Sequence, residues 1–154
     1  MSDVEGRKAA GTSRADDHTP AAPLGRLLAQ TERLLARRME AALADHGLTV
    51  DQWRVLDLLS DGEGHAMSEI VAAIVVPGPT LTKIVDRLVV AAAVYRLVDV
   101  RDRRRVLAFL SDSGKALHSR SAPGVAAAEE SALAALGPDA LVLLDLLSRL
   151  ASSR

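Results

Sequence analysis

Residues 99–109 read DVRDRRRVLAF, which places arginines at 101, 103, 104 and 105 beside Asp99 and Asp102. A guanidinium is permanently charged and offers a planar fork of donors, so a cluster of them is suited to phosphate or carboxylate. A charge run of this kind also fits a merely solvated surface. The whole chain has 154 residues and a formal net charge of −1, so the arginines are a local concentration rather than part of a basic coat. Binding to a polyanion depends on where charge lies, not on the total.

The stretch PTLTKIVDRLVV, residues 79–90, is the second candidate. Leu81, Ile84, Val85 and Leu88 recur at helical spacing on one face, leaving Thr80, Thr82, Lys83, Asp86 and Arg87 pointing elsewhere. Hydroxyls and cations on an outward helical face suit base edges and phosphates.

Other chemistries find little support. There is no cysteine, which excludes disulfides, thiolate metal sites and thiol redox switches. No nucleophile elbow, phosphate-binding glycine loop or HExxH signature occurs. His18, His46, His65 and His118 lack compact ligand spacing. Neither catalysis, nor a metal, nor a cofactor is expected. Trp53, Tyr95 and Phe109 are the only aromatic residues, so bases are not expected to stack on an aromatic platform.

Several elements must position these residues. Residues 1–22 lack periodicity and read as a flexible tail, and residues 23–154 form one domain. Leu24, Leu27, Leu28, Leu34, Leu35, Met39 and Leu43 predict a long helix that Gly47 stops. Thr49 or Asp51 caps a short helix carrying Trp53, Leu56 and Leu59 inward. SEIVAAIV is a further short helix, and VPGPT breaks it before a helix running from about Pro79 to Ala91. VYRLV and RVLAF have strand composition and make the arginine run the tip of a hairpin. Ser111 caps a new helical region that Pro123-Gly124 bends or interrupts. PDALVLLDLLSRLA is apolar on nearly every side and should be buried against more than one neighbour, including a second chain. The apolar stretches are too short or too interrupted to cross a bilayer, so a soluble cytoplasmic protein with no membrane partner is expected.

This order describes a mainly α fold with a small β-hairpin wing: a winged helix-turn-helix over residues 48–110, carried on a helical dimerisation frame of residues 24–46 and 115–152. In order and spacing, GLTVDQWRVLDLL, MSEIVAAIVVPGPTLTKIVDRL and DVRDRRRVLAFLSDSGKAL resemble the MarR-type transcriptional regulators. The likeness covers about residues 24–150. Its most specific part is Asp-Arg-Arg followed by a strand and Ser-x-x-Gly-Lys-x-Leu. Four positions depart from the family pattern: Ala66 replaces a capping hydroxyl, Val75 and Ala92 stand where glycines are usual, and Val100 replaces a wing proline.

The resemblance implies a dimeric repressor of double-stranded DNA reading a pseudo-palindrome. Thr80, Thr82 and Lys83 would read bases in the major groove, with Arg87 as a phosphate clamp. Arg101, Arg103 and Arg104 would sit at the wing tip, Arg104 in the minor groove and Arg103 on the backbone, with Asp102 holding one arginine in place. Asp86 would pair with Arg87 or a wing arginine. Leu24, Leu27, Leu28, Leu141, Leu144, Leu147 and Leu150 are the expected homodimer interface. A small anionic or phenolic effector would occupy a crevice lined by His46, Trp53, Arg54 and His118. The alternative is a winged-helix protein-interaction module that has lost DNA binding, suggested by the apolar pair Val89-Val90.

Overall fold

The computed structural model describes residues 23–153; the tail expected over 1–22 lies outside the described residues. Its elements run α1 (Leu24–Leu43), α2 (Val50–Leu58), β1 (His65–Ala66), α3 (Met67–Ile74), α4 (Gly78–Val90), β2 (Val94–Val98), β3 (Val106–Leu110), α5 (Asp112–Leu133) and α6 (Ala140–Ser152). Short 3-10 turns follow α1, α2 and α5.

Capping explains several starts and stops. The Gln52 amide donates to Thr49 Oγ1 at 3.2 Å while the Thr49 amide donates to Gln52 Oε1 at 2.9 Å, a reciprocal capping box opening α2. Gly47, at φ 65°, closes the turn after α1, as the sequence predicts. The Gly114 amide donates to Ser111 Oγ at 2.9 Å, opening α5. Pro123 lies inside α5, which nevertheless continues to Leu133, so the expected interruption is absent. The true break comes at Gly137, whose φ 52° and ψ −128° are non-helical. The run Asp112–Ser152 has the length and apolar composition to cross a bilayer, but this break divides it into α5 and α6.

Two apolar cores result. The first joins Val55, Leu56 and Leu59 to Ile70, to the inner face of α4 (Leu81, Ile84, Val85, Leu88) and to Val94, Ala108 and Leu110 of the hairpin. The second packs Met39 and Leu43 of α1 against Val50, Trp53 and Val125. The inner face of α4 is therefore the one its spacing predicts. Strand order is β1-β3-β2, with β2 and β3 antiparallel from Val94↔Leu110 to Val98↔Val106. The two-residue β1, pairing His65 with Ala108 and Ala66 with Leu107, is too short for a sequence pattern to reveal.

The C-terminal helix is the least covered element. No residue of α6 is fully buried in the chain, so the burial its composition predicts, against several neighbours including a second chain, is not completed within one copy. Leu143, Leu144 and Leu147 instead face a groove shared with Leu34 and Leu35 of α1 and Leu133 of α5, and Leu141 stays 77% exposed.

Candidate nucleic-acid interface

The axes of α3 and α4 are bent by 109° relative to each other, within the range of helix-turn-helix pairs. The turn between them has an unexpected residue in its strained position. Val75 takes φ 56°, ψ 48° and donates its amide to Val71 O at 3.1 Å. The left-handed cap is thus kept without glycine; Pro77-Gly78-Pro79 does not replace it but opens α4 instead. Ala92 likewise takes φ 57° where α4 hands over to β2. Both residues bear the cost of a Cβ in a left-handed conformation, about 1–2 kcal/mol each.

Burial of Leu81, Ile84, Val85 and Leu88 turns Thr80, Thr82, Lys83, Asp86 and Arg87 to solvent. Thr82 Oγ1 donates to Gly78 O at 3.1 Å, which fixes its rotamer and leaves its oxygen able to accept. Asp86 is paired with Arg96 of β2 at 2.8 Å, so of the two expected partners it takes a wing arginine, on the strand and not at the tip, and leaves Arg87 free of it. This ion pair ties the outer face of α4 to the adjacent wing strand.

The wing tip is ordered by its own main chain. The Asp99 amide donates to Arg105 O and the Arg105 amide to Asp102 O, both at 2.9 Å. Asp99 Oδ1 accepts from the Arg101 amide at 2.8 Å, and Asp102 Oδ1 from the Arg104 amide at 3.0 Å. Asp102 therefore holds an arginine through its backbone amide. Arg105 folds back onto α3 along the surface, its Nη2 lying 2.6 Å from Glu69 Oε1. Glu69 also accepts the Ala66 amide at 2.8 Å, the half of a capping box that survives without a hydroxyl at 66. That backbone hydrogen bond first, then the Arg105 charge, holds the Glu69 carboxyl below the usual carboxylate range.

The arginines are thereby sorted. Arg96 and Arg105 are tied to carboxylates. Lys83, Arg87, Arg101, Arg103 and Arg104 are exposed, and among the described residues none of the five forms an ion pair. Sequence reasoning allows a wing arginine opposite Asp86 without singling out Arg96, and it misses Glu69 as the partner of Arg105. Glu69 and Arg105 are 36 positions apart, and no local pattern links them.

Behind α4, the expected crevice residues are only partly gathered. Trp53 is buried and stacks on His118 with ring centroids 4.7 Å apart and planes inclined by 2°. His118 Nε2 lies 3.0 Å from Asp57 Oδ1. Arg54 meets Glu32 of α1 at 3.1 Å and Asp51 at 3.3 Å. A cavity of about 610 Å³ opens here between α1, α2 and the end of α3; its charged lining is Glu32, Arg54 and Asp57, and Leu58, Ala73 and Ile74 supply apolar wall beside Val75. Arg54 lines it directly, Trp53 and His118 reach it through Asp57, and His46 is not part of its wall.

The bent helix pair, the hairpin wing and the helical frame define a winged-helix protein. The sequence model described as MarR family matches residues 46–105. The HTH-type transcriptional repressor Rv2887 of Mycobacterium tuberculosis is 34% identical over 122 residues, 79% of this chain and 85% of that protein. The HTH-type transcriptional regulator TtmR of Methylorubrum extorquens is 36% identical over 84 residues, and the match spans only 43% of its length. Among solved structures, NadR in complex with 4-hydroxyphenylacetate superposes with a TM-score of 0.77 at 28% identity, covering 88% of this chain and 97% of that one. Rv2887 in complex with p-aminosalicylic acid gives 0.72 at 31%, covering 85% and 100%.

The chain belongs to the MarR family, and its class is that of a transcriptional regulator, not an enzyme.

Proposed function

We propose that the protein is a cytoplasmic homodimeric repressor that reads a pseudo-palindromic DNA duplex. In each half-site α4 enters the major groove, with Thr80, Thr82 and Lys83 at base edges and Arg87 on phosphate. The wing tip follows the neighbouring minor groove with Arg104, while Arg101 and Arg103 engage the backbone. The observation that carries this reading is the set of exposed cations without a carboxylate partner on α4 and the wing, beside two arginines that are internally tied. A merely solvated charge run gives no reason for that division.

Dimerisation is part of the mechanism, because two reading heads must be spaced by about 34 Å to follow one face of the duplex. Leu24, Leu27, Leu28, Leu141, Leu144 and Leu150 are exposed in the single chain and Leu147 is half-buried, an apolar surface that a second frame would cover. The crevice holding Arg54 and Asp57 is the effector site in this reading. A ligand there regulates through its different affinity for two spacings of the heads.

Titrating a labelled pseudo-palindromic duplex at several salt concentrations tests the assignment. DNA binding predicts steep weakening with salt, and Arg104→Ala should reduce the slope of log K against log salt by about 1. Absent or salt-independent association moves the assignment to a protein-interaction module, with Val89 and the 88%-exposed Val90 as its docking strip.

A further inference from the structure

The cavity beside Arg54 has a charge balance that selects its occupant. Its volume, about 610 Å³, lies within the usual range for small-molecule sites. Two carboxylates, Glu32 and Asp57, line it against a single guanidinium. That guanidinium is already engaged on two sides, by Glu32 at 3.1 Å and by Asp51 at 3.3 Å. Two carboxylates, Glu32 and Asp51, therefore hold the one permanent cation, and a third, Asp57, faces His118 instead.

An incoming anion would have to separate Arg54 from a partner it already holds, or rest beside the carboxylates of Glu32 and Asp57, which outnumber the one permanent cation of the lining. An incoming ammonium shares Glu32 with Arg54 and Asp57 with His118, and adds a cation where carboxylates are in excess rather than a further anion. The apolar wall of Leu58, Ala73 and Ile74 then receives a hydrocarbon body. The ligands seen with the similar structures, 4-hydroxyphenylacetate and p-aminosalicylic acid, each carry a carboxyl group, which this lining opposes.

We infer that the effector selected by this cavity is a protonated amine on an apolar body, its ammonium held by Glu32 and Asp57 and its body by Leu58, Ala73 and Ile74. The inference rests on the reading of this crevice as the effector site. It also places the ligand against Val75, the strained residue that leads into α4, so occupancy bears on the helix that faces DNA.

The test is isothermal calorimetry at pH 7 on the full chain without DNA, comparing 1-naphthylmethylamine with 1-naphthylacetate, which share one ring and differ in charge. The amine should bind at least about tenfold more tightly. Glu32→Gln and Asp57→Asn should each weaken it by about threefold or more with unchanged far-ultraviolet circular dichroism, and Arg54→Gln should strengthen it. Should a variant lose helix content, the unaltered protein decides: amine binding must weaken as salt rises. Equal or tighter binding of the carboxylate, amine binding indifferent to salt and to both carboxylate substitutions, or no amine binding up to millimolar concentration would each overturn the inference. DNA binding is measured separately on the protein without amine, so failure here and failure of the repressor reading are distinguishable.

Discussion

Ser111 donates its hydroxyl hydrogen to Ala92 O at 2.6 Å while its oxygen accepts the Gly114 amide at 2.9 Å. One side chain thus caps α5 and holds the end of the turn that follows α4, tying frame to reading head. The Ser111 amide reinforces the junction by donating to Ala93 O at 3.0 Å. Gly114 is required by the same approach, since a Cβ there would overlap the Ala93 carbonyl. Ser111→Ala should cost about 1–2 kcal/mol in urea unfolding, and Gly114→Ala should cost more, because the obstacle is backbone. Equal stability of Ser111→Ala and the parent would remove this joint from the account.

The two left-handed residues provide a test with the opposite sign. Val75 is 86% exposed, so replacing it loses little burial, and Val75→Gly relieves a β-branched side chain from φ 56°. After the extra chain entropy of glycine is counted, a gain of up to about 1 kcal/mol is expected, near 3 °C in Tm for a domain of this length. Ala92→Gly should act in the same direction by a smaller amount. A lower Tm for either variant would contradict the strain assigned here.

Tied and free arginines should separate in DNA titrations. Arg103→Ala and Arg104→Ala each remove a proposed phosphate or groove contact and should flatten the salt dependence. Arg105→Ala breaks the pair with Glu69, so it should weaken binding by loosening the wing while leaving the slope nearly unchanged. Identical slopes for all three variants would show that the sorting has no functional meaning.

Acid should release the wing from α3. The Glu69 carboxyl titrates below its unfolded range because the folded state donates the Ala66 amide to it and places Arg105 beside it. Its stabilising contribution is therefore complete above the ordinary glutamate range and is lost as pH falls through the depressed folded value. The stability difference between the parent and Glu69→Gln should be largest near neutral pH and vanish in strong acid. Asp61, lowered by the Glu63 amide and by His65, should give the same sign with Asp61→Asn.

The exposed frame leucines predict the assembly. Leu144→Glu places a charge where one chain leaves an apolar side chain 44% exposed. It should convert a dimer into a monomer in sedimentation velocity with helix content retained. A variant that still sediments as a dimer would displace the interface from this face.

Much of this architecture is legible in the residues. The spacing of Leu81, Ile84, Val85 and Leu88 gives the buried face of α4, and Thr49, Gly47 and Ser111 mark helix ends through local hydrogen bonding that short-range sequence encodes. Long-range choices are not visible in this way. Asp86 meets Arg96 and Glu69 meets Arg105 only because the hairpin folds back over α3 and α4, and β1 exists only because β3 lends it a partner. Val75 and Ala92 show a further limit: substitution of a turn glycine is read most simply as a changed turn, whereas here the surrounding helices impose the old geometry on a less suitable residue. The burial that α6 calls for is not completed within one chain, because apolar composition states what a helix needs, not whether its own chain supplies it.

In a single copy the segment Ala140–Ser152 has no fully buried residue of its own, so a chain without the proposed partner offers proteases an apolar helix. Limited proteolysis should therefore cut α6 faster as the protein is diluted, and more slowly wherever a second copy covers it.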